Sequence, residues 1–268
     1  MLYRNYDYFK ELRVRFICLL LIVLSISSQE KKIIDIQKID AEITIDGIVN
    51  EAIWDQIEPL PVNMISPQFK GEMTEKTEIR ICYDNNYLYF SGRFYDSQPD
   101  QIAANSLIRD KDRGGDFFNV LLDTFNDNEN NLVFSTTPAG NRIDNELLND
   151  GEGNFIDIVN YDWNAYWDAK TTQDNTGWFV ETRIPFTSLR YNINGDEVIF
   201  GFITHRLISR KGERHTFPEI APNKPLSHLK PSNAAKIRLK GITNKRPLYI
   251  TPYSLAETGN HSNGDVNL

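Results

Sequence analysis

Trp163 and Trp167, with Tyr161 and Tyr166 beside them, place four aromatic rings in one short polar stretch, interleaved with Asp162, Asn164 and Asp168. Flat apolar rings next to planar amides and carboxylates suit a ligand with an apolar face and a hydroxylated rim, which is the chemistry of a sugar ring. The two tryptophans are also four residues apart, as on one face of a helical turn that plugs the end of a β-sandwich. Large aromatics are on average buried. Solvent exposure separates the two readings.

Other chemistry-bearing groups divide in the same way. Arg109–Asp110–Lys111–Asp112–Arg113 reads as a hydrogen-bonding rim or as solvated charge pairs. Asp123, Asp127, Asn128, Glu129 and Asn130 gather hard oxygen ligands that suit a structural Ca²⁺. The spacing lacks the glycine of the twelve-residue calcium loop, and an acidic surface turn is the other reading. Asp144, Glu146, Asp150 and Glu152 form a second acidic cluster with a weaker claim. Glycoside hydrolysis needs two carboxylates ~5–9.5 Å apart across a cleft. No motif singles out such a pair among 37 acidic residues, so the reading is of a non-catalytic domain. His205, His215, His228, His261, Met64 and Met73 show neither haem-ligand nor zinc-ligand spacing.

These groups must be held by strands. In Trp178–Ile184, Trp178, Val180, Thr182 and Ile184 share one face, and Phe179, Glu181 and Arg183 the other. That is a half-buried strand with Trp178 in the core. Ile79, Ile81 and Tyr83 alternate before Asp84–Asn85–Asn86, a tight turn into Tyr87–Tyr95, which predicts a hairpin. Further strands are expected over Phe117–Asp123, Leu132–Thr136, Val198–Arg206 and Ala235–Leu239. The longest loop is expected from about 138 to 168. Asn50 is placed to cap a short helix carrying Ile53, Trp54 and Ile57. Many short strands with turn chemistry between them predict an all-β, antiparallel β-sandwich over 33–242.

The chain of 268 residues is 40% hydrophobic, enough for one good-sized core, and its net charge of −8 disfavours nucleic acid as a partner. Residues 1–29 read as an export signal. Arg4, Lys10, Arg13 and Arg15 precede the apolar stretch Phe16–Ile26, and Ser27–Ser28–Gln29 follow. That stretch is short of the ~20 residues that span a bilayer. Cleavage would take the net charge to about −10 and leave Cys82 as the remaining cysteine, a packed small hydrophobe on a strand. The expected location is therefore the periplasm, outer membrane or cell surface.

Four stretches in order, IDGIVNEAIW (45–54), TEIRICYDNNYLYFSGRFYDSQPDQI (77–102), GGDFFNVLLDTFNDN (114–128) and GWFVETRIPFTSLRY (177–191), resemble carbohydrate-binding module family 9, over about residues 39–242. RDKDRGGDFFNVLLDTF, DWNAYWDA and GWFVETRIPFTSLRY are more similar to a subgroup in which such a domain stands at the N-terminus of an outer-membrane protein, ahead of a long β-barrel. On that resemblance, 243–268 is a tail whose Arg246–Tyr253 would begin a truncated barrel.

The resemblance implies a β-sandwich that binds a polysaccharide or oligosaccharide, and structural calcium in some members. Members linked to xylanases clamp a sugar between two tryptophans and hold it with Glu, Arg and Asn. The first clamp position falls here on Arg113–Gly114–Gly115 and the second around Phe217–Pro218–Glu219. The glutamate falls on Asn119, and the Arg and Asn fall near Ser135 and Thr137. The clamp is thus mostly replaced, while Asn119, Thr137 and Phe217 keep hydrogen-bonding or aromatic character. The candidate carbohydrate-binding residues are Trp163, Trp167, Phe217, Arg109, Asp116 and Asn119, with Asp123 and Asp127 for a metal. The reading is of an exported glycan-binding domain in polysaccharide breakdown or uptake. The alternatives are an accessory domain of an outer-membrane barrel that binds no sugar, possessing Trp163 and Trp167 as scaffold, and a module of a glycoside hydrolase.

Overall fold

The computed structural model describes residues 32–111 and 114–242. The expected signal segment, the tail with its barrel start, and Asp112 and Arg113 of the charged loop lie outside the described residues. Thirteen strands are described: β1 Ile33–Asp35, β2 Asn63–Ser66, β3 Thr77–Tyr83, β4 Tyr87–Tyr95, β5 Phe117–Asp123, β6 Asn131–Thr136, β7 Arg142–Leu147, β8 Val159–Asn160, β9 Asp168–Asp174, β10 Gly177–Pro185, β11 Glu197–Ile208, β12 Glu213–Phe217 and β13 Ala235–Lys240. They form two sheets. The smaller has the order β3-β4-β10-β9, and the larger runs β1-β13-β11-β5-β6-β7-β8, with β12 and then β2 added beside the second half of β11. Pairing is antiparallel except where β1 lies parallel to β13.

The two sheets close on each other through side chains of period two. Phe118, Val120 and Leu122 of β5 and Val198, Phe200 and Phe202 of β11 meet Leu88, Phe90 and Phe94 of β4 and Trp178, Val180 and Ile184 of β10. The rings interlock, with Phe94 4.6 Å from Trp178 and 5.2 Å from Phe118 between centroids. Trp178 is a core residue, as its strand pattern required.

The outward face of β10 keeps Phe179 and Arg183 partly exposed, but at Glu181 the expectation of a solvated face is corrected. The segment from Ile39 to Ile57 lies across it, packing Val49 and Trp54 against Cys82 and Tyr89. Glu181 is consequently fully buried. Its carboxylate accepts from the Trp54 indole N–H at 3.0 Å and from the backbone N–H groups of Asp46 and Gly47 at 3.1 and 2.9 Å. Burial and the neighbouring Glu51 carboxyl push Glu181 up to about 7. Gly47, at φ +85°, passes so near the Lys170–Thr171 backbone that a Cβ would lie 2.8 Å from it. The Ile-Asp-Gly…Trp stretch is therefore a lid tied to one buried carboxylate.

The helix over this stretch, α1, is the single turn Ala52–Asp55, with Glu51 rather than Asn50 at its N-cap position. The expected loop of 138–168 also divides. It holds β7, β8 and a second short helix, α2 Phe155–Ile158.

Candidate functional site

The face of β5–β7 turned away from the sandwich core carries Phe117, Asn119 and Leu121 on β5, Val133 and Ser135 on β6, and Ile143, Asn145 and Leu147 on β7. The pairings Asn119↔Ser135, Ser135↔Ile143 and Val133↔Asn145 set them side by side. Two segments cover parts of this face. From one side, α2 brings Ile158 onto Leu147, and from the other, Ile220, Leu229 and Ala234 lie over Leu121 and Ile203. Between them remains a cavity of about 150 Å³, lined by these strand residues other than Leu121, and by Thr137, Phe155, Val159, Tyr161 and Leu229.

Three aromatic rings border it: Phe155 and Tyr161 are about half exposed, and Phe117 is partly buried. Asn119, Ser135, Thr137 and Asn145 supply amides and hydroxyls, and no carboxylate or cation lines the wall. Asn119 is 8% exposed, its Nδ2 lies 3.1 Å from His205 Nε2, and its Oδ1 has no partner among the described residues. An amide oxygen left so is costly unless a ligand or water reaches it. Behind Asn119, burial and the Arg214 guanidinium hold both His205 and His228 well below the usual imidazole range. Both are neutral at neutral pH, so the floor is polar and the histidines add no charge. The volume is small beside the ~300–1,000 Å³ of closed ligand pockets, which suits a seat for one unit of a longer chain.

The sequence candidates scatter. Asn119 lies in this cavity, as do Ser135 and Thr137, the positions on which the resemblance placed further sugar contacts. Trp167 does not. It is 1% exposed, its indole N–H donates to Asp144 Oδ1 at 3.1 Å, and its ring packs on Phe134 between the sheets. Trp163 is half-buried against the same Phe134. The stretch therefore plugs the sandwich end, with Tyr161 and Tyr166 left exposed. Arg109 donates to Asp144, Asn164 and the Ala165 carbonyl, stapling the 103–111 loop to this plug. Asp144, set down in the sequence as part of an acidic cluster, is the buried anchor of that staple.

Phe217 lies in the inter-sheet core, 5.9 Å from Phe202 between ring centroids. Asp116 is fully buried, and its Oδ1 accepts from the Ser209 N–H and hydroxyl at 3.0 and 2.7 Å. With Asp96, Glu75 and Glu213 it offsets the buried Arg206, whose pKa burial lowers to about 10. Neither residue lines the cavity. Asn145 and Phe155 were not found from sequence. Asn145 belongs to a strand read as loop, and Phe155 reaches the cavity only through the fold of the 149–160 segment.

Asp123 and Asp127 do not fit a cation. Asp123 is fully buried, and its two oxygens accept from the Asp127 and Asn128 N–H groups at 3.2 and 3.0 Å. The Lys236 ammonium already stands 3.7 Å away. Among the described residues no group of three or more His, Cys, Asp or Glu side chains could hold a metal.

The model of the carbohydrate family 9 binding domain-like family matches residues 45–240. No curated protein matches the chain. Solved structures share its fold at low identity. A family 9 module from Caldicellulosiruptor kristjanssonii in complex with cellotriose superposes with TM-score 0.52 at 20% identity, covering 82% of this chain and 100% of that one. The glucose complex of a family 9 module from the same organism gives 0.53 at 20%, covering 81% and 100%. A Bacteroides uniformis protein to which carbohydrate binding is ascribed gives 0.58 at 11%, covering 78% and 99%. The family match spans most of the chain, from the Glu181-tied lid to the last described strand: this protein belongs to the carbohydrate family 9 binding domain-like family.

Proposed function

We propose that the protein binds a glycan in the cavity on the outer face of β5–β7, without chemically altering it, as an exported domain serving polysaccharide breakdown or uptake. The observation that carries this reading is the union, in one concave seat, of exposed aromatic rings with amides and hydroxyls, one of them an unpartnered amide oxygen on Asn119. Phe155 and Tyr161 take the apolar face of a sugar, and Asn119, Ser135, Thr137 and Asn145 take its hydroxyls. Family membership and the sugar complexes of the two Caldicellulosiruptor structures support the ligand class. The first residues, read as an export signal, support the location.

Affinity electrophoresis through gels carrying a panel of soluble polysaccharides tests it. Retardation by at least one polysaccharide, lost in Asn119→Ala with Tyr161→Ala and kept in Trp163→Ala, is the expected result. Migration unaffected by every gel would favour an accessory scaffold that binds no sugar.

A further inference from the structure

Among the described residues, most arginines are neutralised by a carboxylate. Arg80 pairs with Glu78, Arg109 with Asp144 and Arg210 with Asp96, and each of the others has a carboxylate within 4.0 Å, except the exposed Arg190 and Arg214. Arg214 is the half-buried one. It stands on β12 beside Leu207 of β11, which in turn pairs with Phe117 of β5. Its guanidinium carbon is 5.7 Å from the centroid of the Phe117 ring, and Nη1 is 3.2 Å from His205 Nε2. That nitrogen also meets Asn119 Nδ2, so Arg214 is two hydrogen bonds from the cavity lining.

We propose that the glycan bound at this site is acidic, a uronate-containing chain whose carboxylate pairs with Arg214 at the Phe117 end of the cavity. The inference rests on the glycan-binding reading and narrows it to a ligand class. A half-buried cation without a counter-charge is costly, and a ligand carboxylate relieves that cost. A guanidinium has five N–H donors, of which His205 engages one, and a carboxylate accepts two in parallel. Burial alone lowers Arg214 to about 10, so it stays charged at neutral pH. The cavity wall carries no carboxylate to repel an anion, in a chain whose net charge is −8. His205 and His228, neutral beside it, leave Arg214 as the charge at that end.

The test measures binding of the full chain to polygalacturonate and alginate, each beside its carboxyl-reduced neutral counterpart, at low and high salt. The expected result is ~10- to 100-fold tighter binding of the acidic forms, weakened by salt, lost in Arg214→Gln and partly kept in Arg214→Lys. Equal or better binding of the carboxyl-reduced forms would overturn acid selection and leave glycan binding standing. No binding to these or to any neutral polysaccharide would overturn both. The comparison of the two ligand forms needs no variant, so it decides even if Arg214→Gln fails to fold.

Discussion

Two groups of aromatic rings, each with amides or carboxylates for company, have opposite fates in this domain. Trp163 and Trp167 turn inward over Phe134, and the Trp167 indole N–H is bound to the buried Asp144. Phe155 and Tyr161 turn outward at the rim of a cavity whose floor holds an amide oxygen without a partner. Side-chain type does not distinguish them. The difference is whether the neighbouring polar groups satisfy one another. Asp144 accepts from Trp167, Arg109 and the Ala165 N–H, a closed set with nothing left for a ligand. Asn119 keeps an acceptor in reserve. Satisfied polar groups mark scaffold, and unsatisfied ones beside open aromatic surface mark a site.

The comparison breaks most sharply at Trp167. Trp167→Ala removes a large core ring and leaves Asp144 short of a donor, with an expected loss of ~3–5 kcal/mol in urea unfolding. Glycan affinity of the molecules still folded is unchanged. A variant that keeps its stability and loses binding would reverse the two roles.

pH separates the regions next. The native state holds the Glu181 proton more tightly than the unfolded chain does, since its pKa rises from 4.5 to about 7. The contribution of Glu181 to stability is therefore fully present below about pH 4.5, declines as pH rises from there to about 7, and is absent above. Relative to Glu181→Gln, the wild-type protein loses several degrees of Tm across that window, at ~2–4 °C per kcal/mol for a domain of this size. Binding is expected to be flat around neutral pH, because burial holds the histidines behind the cavity well below the usual imidazole range and so neutral there. A binding profile that followed the stability profile would merge the two regions.

Smaller effects follow at the rim. Phe155→Ala and Tyr161→Ala each weaken binding about threefold to tenfold, the worth of an aromatic contact, with Tm shifts under a degree or two. The smallest effect is that of a chelator. With Lys236 beside Asp123 and backbone N–H groups on both its oxygens, EDTA is expected to leave Tm and binding unmoved. A drop in Tm restored by Ca²⁺ would show that a cation is held after all.

The fold was legible wherever period two survived. Trp178–Ile184 alternates and Phe117–Asp123 is a short apolar run between turn residues, and both fall on strands of almost the expected bounds. Arg142–Leu147 was missed because its inward face carries Asp144, a polar residue buried by its own hydrogen bonds, so no apolar alternation appears. Asp168–Asp174 is an edge strand whose single buried side chain, Ala169, gives too little contrast. The burial of Glu181 was not legible, because it depends on the 39–57 lid that crosses the sheet.

Of the site, Asn119, Ser135 and Thr137 are the positions to which the resemblance pointed. Phe155 and Asn145 join them through long-range packing, for which no local pattern exists. Phe217 belongs to the core because β12 turns it inward, and Asp116, just before β5, is buried by its bonds to Ser209.

The central claim is that ligand meets the outer face of β5–β7 rather than the tryptophan plug. Side-chain amide and indole N–H resonances, followed by NMR while an acidic oligosaccharide is added to the ¹⁵N-labelled protein, test it most directly. Saturable shifts of the Asn119 and Asn145 amides are expected, with the Trp163 and Trp167 indole signals in place. Shifts of the indoles with the amides unmoved would contradict it.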